Sequence, residues 1–341
     1  MDFLLDPGVT FLNHASYGAC AAPVFARYQE LQRELERNPV EFLARRFDGL
    51  IAEARASLAA SVGARPDDLV FVPNATAGLN AVIRSLRLEP GDEVLTTRHE
   101  YGAVTRTWEF VGAKLVYAEP DELVDAIGPR TRAISISHIT SPTALVLPVA
   151  EICAAARTAG ALAIVDGAHA VGQVPLDLEA LGADVYAGNC HKWLGAPKGA
   201  GFLWARPEHQ RWIEPLVISW GYGDDRTFAD RHGWQGTRDP AAALAIPAAI
   251  QAHAGFALER CRRLAASFYD RLPPVGPTPA PQMWATEVAT DEPEELQRRL
   301  FDEHSIEVVV REREGKSLLR VSIAPYNDEA DVERLLDALS R

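Results

Sequence analysis

The sequence predicts an α/β protein. A large domain with a mostly parallel, seven-stranded-type sheet covered by helices is followed by a small C-terminal α+β domain. Three observations predict it. Short apolar runs alternate with amphipathic runs of helical spacing between about residues 66 and 206. The chain has 341 residues, 48% apolar and 24% charged, which are ordinary globular values and enough for two domains. After about residue 240 the alternation gives way to a long helical stretch and then mixed strands and helices.

The elements follow in order. Phe25, Tyr28, Leu31 and Leu35 recur at three- and four-residue steps, which is a helix face. Pro39 interrupts that helix, and a second runs over 40–62 to Gly63. Apolar segments at 68–73, 93–97, 114–119, 132–139, 162–170, 183–190 and 199–206 read as strands. Helical segments at 76–87, 104–110 and 148–160 separate them; Pro90 and Gly91 stop the first and Gly160 ends the last. Beyond 240 the reading is a long helix over 240–272, a Pro-rich loop over 273–281, a strand at 283–289 and a helix at 293–303. Strands at 306–314 and 317–325 and a helix from Asn327 complete it. The expected division is 24–240 for the large domain and 241–341 for the small one, with 241–272 as an interdomain helix.

Charge and cysteine usage exclude several classes. The net charge of −13 argues against a general nucleic-acid binder, which needs basic patches on phosphates. Cys20, Cys153, Cys190 and Cys261 form no CxxC pair and no zinc-type cluster, so reduced thiols, a cytoplasmic location and no metal are expected. Residues 1–10 carry Asp2 and Asp6 with no basic stretch leading into an apolar run, unlike a signal peptide. The uncharged windows 133–150 and 241–258 contain Pro and polar groups, so they read as buried elements rather than membrane spans.

Two segments carry the chemistry. In 163–170, AIVDGAHA, an apolar strand ends in Asp166, which points an acid into the crevice where parallel sheets bind ligands. Asp-Gly is also a common turn, and both readings stand on this segment alone. In 186–206, Lys192 follows a β-like run and precedes Trp193 and Leu194. It reads either as a solvated charge or as a lysine whose apolar neighbours lower its pKa and make it a Schiff-base nucleophile. An acid and a lysine at neighbouring strand tips form the arrangement pyridoxal phosphate needs: the lysine for its aldehyde, the acid for its ring nitrogen.

With these segments in place, the sequence resembles the class V group of fold-type-I pyridoxal-phosphate enzymes, and within it the isopenicillin N epimerase-like branch. The segments FLNHASYG (11–18), RELERNPVEFLARR (33–46), HEYGAV (99–104), SHITSPTALVLPV (137–149), WQGTRDP (234–240) and LLRVSIAPYN (318–327) resemble that branch in order. The resemblance implies Lys192 as Schiff-base lysine and base at Cα, Asp166 as partner of the ring nitrogen and His169 beside the phenolic oxygen. It implies Ala75 and Thr76 at the phosphate, Tyr101 stacked on the ring, and Asn189 and His191 flanking the lysine. Gln235, Gly236 and Thr237 resemble a segment that reaches the phosphate of a neighbouring subunit, which implies a homodimer with shared active sites. Arg320 matches a carboxylate clamp, and residues 1–23 a segment lining the substrate side through Asn13, His14 and Tyr17. Ser141 and Thr143 either touch the cofactor or cap the next helix. Trp220, Tyr222 and Arg238 are further pocket candidates or packing residues.

The implied activity is Cα deprotonation of a small amino-acid-type substrate, epimerase- or racemase-like. A C–S lyase and an aminotransferase or cyclase are the alternatives. A persulfide-transferring desulfurase is disfavoured, because 308–320 lacks a cysteine and Cys190 sits fixed beside Lys192. Inversion also needs an acid on the second face, for which Tyr17 and His14 are candidates. Two features depart from the branch. The chain is about 40 residues shorter than the branch pattern, a difference that falls to loops. Ala15 and Tyr17 stand where the branch commonly shows Gly and Phe. A cofactor-free binding module would be expected to lose Lys192 or Asp166. A dinucleotide-binding enzyme needs a GxGxxG that PNATAGLN does not supply.

Overall fold

The computed structural model describes residues 2–340. After the short β1 (Thr10–Phe11) come β2 (Leu69–Val72), β3 (Glu93–Thr96), β4 (Lys114–Tyr117) and β5 (Thr131–Ser137). They are followed by β6 (Leu162–Gly167), β7 (Val185–Asn189) and β8 (Gly201–Ala205). Strands β2 to β8 make one seven-stranded sheet in the order β2-β8-β7-β6-β5-β3-β4. The run from β7 to β4 is parallel, and β8 is antiparallel to both its neighbours. The expected architecture is therefore the observed one. Strands β6, β7 and β8 are buried along their whole length, as strands covered on both faces must be.

The chain steps from β4 back across β3 to β5, so the strand order reverses between β3 and β5. Ligands of open α/β sheets bind outside the carboxyl ends near such a point. Here those ends are Thr96, Ser137, Gly167 and Asn189, and they carry the site.

The small unit contains β9 (Met283–Glu287), β10 (Ile306–Glu307), β11 (Val309–Arg313) and β12 (Lys316–Ser322). An antiparallel sheet β11-β12-β9 packs Trp284, Leu319 and Val321 against Val332 and Leu335 of the last helix. Strand β1 pairs in parallel with β10 through Thr10 and Ile306, and Leu12 enters the same core. The N-terminal segment is thus stitched to the small unit before it crosses to the large one, where Ala15 and Ala21 are buried.

Three stretches differ from the sequence expectation. The helix over 240–272 is three helices, Ala241–Leu244, Ile246–Ala254 and Leu258–Ala266, with a 67° bend before the last. Pro247 lacks the N–H that would continue the first, and the chain turns at Gly255 and Phe256. The strand over 306–314 divides at Val308, because β10 pairs with β1 while β11 pairs with β12. The second helix includes a π-helical stretch, Phe42–Arg46. Helices His14–Tyr17 and Phe228–Gly233 had no signal, being too short to show a period. Among the described residues no single helix is long and apolar enough to cross a membrane.

Candidate active site

The strand ends and the N-terminal segment enclose a cleft of about 200 Å³. Among its lining residues are Tyr17, Ala75, Thr76, Tyr101, Ser141, Asp166, His169, Asn189, His191 and Lys192, all singled out from sequence. Ser16, Asn74, Ser137 and Ile139 line it too and were not foreseen.

Lys192 follows β7 by a short turn, and its Nζ lies 3.1 Å from His169 Nε2. Burial, then the nearby Arg320 charge, lowers its pKa from 10.5 to about 7, with Asp166 opposing. Burial also holds His169 neutral, well below the usual imidazole range. The Trp193 indole N–H donates to His169 Nδ1 at 3.4 Å, which assigns the ring proton to Nε2, facing the amine. Asp166 is the penultimate residue of β6, and its Oδ1 accepts the Ala168 N–H at 2.9 Å. Burial raises its pKa, opposed by that N–H and by Lys192.

At the other end of the cleft the helix Ala75–Ser85 begins. Asn74 caps it by accepting the Ala77 N–H at 2.9 Å, and Asn189 Oδ1 accepts the Ala75 N–H at 2.8 Å. Thr76 lies in the first turn of this helix and lines the cleft, a position that suits a phosphate. The His191 ring donates from Nδ1 to the Ala200 carbonyl at 3.2 Å, and burial lowers its pKa to about 4, so it is a neutral neighbour.

Arg320, on β12, is buried beside the cleft rather than lining it. Its Nη1 donates to the Ser141 carbonyl at 2.7 Å and hydroxyl at 3.2 Å, and its Nη2 to the Ser16 hydroxyl at 3.0 Å. Burial lowers its pKa to about 10, and its Nε is buried with no partner. Ser16 in turn donates to Asn13 Oδ1 at 2.6 Å. His14 lies outside the cleft. Its Nε2–H donates to the Lys192 carbonyl at 3.1 Å, so Nδ1 accepts from the Tyr326 hydroxyl at 2.9 Å. Burial lowers its pKa to about 4. Gly18 closes the segment with φ +71° where a Cβ would stand 2.0 Å from the His191 carbonyl oxygen.

Other foreseen residues lie apart. Thr143 bonds Thr140 and His99 rather than capping, and the following helix starts at Val149. Gly236 and the exposed Thr237 are outside this cleft. Arg238 lines a separate cleft with Phe47 and Trp234, and Trp220 and Tyr222 sit on an exposed stretch.

The sequence matches the aminotransferase class-V family over residues 11–272. The chain belongs to that family. Its relatives include isopenicillin N epimerase of Amycolatopsis lactamdurans, 38% identical over 98% of this chain and 95% of that protein. A probable chloroplastic L-cysteine desulfhydrase of Arabidopsis thaliana is 29% identical over 72% of this chain and 58% of its own. Among solved structures, the cystine C–S lyase C-DES superposes with a TM-score of 0.85 at 23% identity, covering 98% of each chain. Cysteine desulfurase CsdA of Escherichia coli superposes at 0.82 and 24%, over 100% of this chain and 96% of that one. These two share the fold.

This class V enzyme uses pyridoxal 5'-phosphate. The residues present fit that group. The Lys192 amine has only a neutral hydrogen-bond partner, Asp166 keeps one carboxylate oxygen uncommitted by protein, and a capped helix start faces the same space. The cofactor supplies an aldehyde for Lys192 and a ring that accepts electrons from Cα.

Proposed function

We propose that this class V enzyme inverts configuration at Cα of a small amino-acid-type substrate. The observation that carries the reading is the near-full-length identity of 38% to an isopenicillin N epimerase. The geometry supports it. Arg320 stands behind the cleft-lining Ser16 and Ser141, and in this reading a substrate carboxylate would take over the Nη contacts it now makes to them. Burial lowers the Lys192 pKa to about 7, which favours the uncharged amine that would remove the Cα proton. His169 holds that amine, and Asp166 would keep a proton on the ring nitrogen of the bound cofactor. Tyr17, one of several hydroxyls lining the cleft, is assigned proton return from the second face, since His14 has both ring nitrogens engaged.

A homodimer belongs to the same proposal. Gly236 and Thr237 lie outside this chain's own cleft, and Leu216, Val217, Ile218, Trp220 and Tyr222 form an exposed apolar stretch that a second copy would cover. A cytoplasmic setting is proposed from four free cysteines.

The second reading is a C–S lyase, favoured by the cysteine desulfhydrase relatives. Persulfide transfer is not favoured. The stretch 308–320 forms the β11–β12 hairpin without a cysteine, and burial raises the Cys190 thiol far from reactivity. Proton NMR in D₂O with L- and D-amino acids and cysteine conjugates tests both. Cα exchange with both enantiomers on a chiral column supports inversion. Pyruvate and ammonia without the second enantiomer support the lyase and overturn it.

A further inference from the structure

Glu100 is a buried carboxyl that none of the chemistry above uses. It stands in the turn between β3 and Tyr101. Its Oε1 accepts the Thr97 hydroxyl at 2.7 Å, and its Oε2 accepts the Ser137 hydroxyl at 2.6 Å. Thr97 also accepts the His99 N–H at 3.0 Å, which closes the turn on itself. Ser137 ends β5, is the register partner of Asp166 on β6, and lines the cleft. One carboxyl therefore links the turn that carries Tyr101 to the strand beside Asp166. On its other side Glu100 borders a second cleft lined by Arg98, Arg106 and Arg313.

We propose that Glu100 is a positioning residue for the cofactor ring, fixing Tyr101 above it and setting, through Ser137, the charge beside Asp166. The geometry ties the carboxyl to both the Tyr101 turn and the end of β5. A carboxyl at this depth is costly, and two hydroxyl donors stabilise its ionised form only in part. Burial raises its pKa to about 7, the Ser137 and Thr97 hydroxyls oppose, and Asp166 adds to the rise. The charged groups that bear on it are Asp166 from β6 and Arg313 from the β11–β12 hairpin. Glu100 thus changes charge near neutral pH close enough to bear on Asp166, and a cofactor ring held at Asp166 would report that change.

The inference rests on Asp166 holding the cofactor's ring nitrogen, as proposed above. The test is a pH titration of the visible band of protein reconstituted with pyridoxal phosphate. The wild type is expected to show an inflection near pH 7. Glu100→Gln should abolish it. Ser137→Ala, which removes a donor from the ionised carboxyl, should move it upward by about one pH unit. A role confined to packing would leave the profile unmoved. Should Glu100→Gln not fold, Ser137→Ala decides alone. A wild-type profile flat in this range, or an inflection that stays in place in the folded variants, overturns the inference. Failure to form any borohydride-sensitive band overturns instead the cofactor placement on which it rests.

Discussion

Replacing Arg320 by lysine separates carboxylate recognition from charge. The guanidinium reaches Ser141 with Nη1 at 2.7 Å and Ser16 with Nη2 at 3.0 Å, so its two ends bond cleft-lining residues from two different segments. A single ammonium cannot span both. Toward a substrate carboxylate it keeps the charge and loses one of two charge-assisted hydrogen bonds, worth about 1.5–3 kcal/mol. That converts to roughly 10- to 150-fold weaker binding. The assay is a spectral titration of the reconstituted enzyme with alanine and, in parallel, with ethylamine, which lacks the carboxylate. Arg320→Lys should weaken the alanine response by that factor and leave ethylamine unchanged. Equal losses for both ligands, or none for alanine, would refute a carboxylate clamp at Arg320.

Further predictions follow from the same geometry. Lys192 has its pKa lowered from 10.5 to about 7 in the folded chain. Between those values the unfolded chain binds a proton that the folded one does not, so cofactor-free wild type gains stability as pH rises through that window. Cofactor-free Lys192→Met should therefore melt above wild type at pH 7, with the gap narrowing toward pH 10; a constant gap by differential scanning calorimetry would contradict burial as the cause. Gly18→Ala places a Cβ 2.0 Å from the His191 carbonyl at φ +71° and should lose about 2–5 kcal/mol in urea unfolding. A loss under 1 kcal/mol would mean that the segment yields freely. Tyr17→Phe should slow inversion at least a hundredfold while Cα hydrogen exchange with retention continues. Parallel loss of exchange and inversion would remove Tyr17 from the second face.

The seven strands of the large sheet and most helices were legible because each is long enough to show its period. Asp166 and Lys192 stood out because each follows an apolar run, and the resemblance then assigned their roles. Asn74, Ser16, Ser137 and Glu100 were not. A serine or an asparagine has many uses, and only assembly of the strand ends shows which one it serves. The single helix expected over 240–272 failed because an alanine-rich apolar stretch reads as helix whether or not the chain bends at Pro247 and Gly255.

Local pattern by itself determined the α/β architecture and brought Asp166 and Lys192 forward as candidates; the resemblance of the ordered motif segments gave the family and the expected roles. The architecture rests on periodicity, the family on those segments taken together. Tertiary structure decided the partners. It joined β1 to β10 across 296 residues of sequence. It set Arg320 between Ser16 and Ser141, turned His14 from the cleft to Tyr326, and buried Glu100 between Thr97 and Ser137. Hydrogen bonds of that kind are short-range in space and unconstrained in sequence, so no spacing rule announces them.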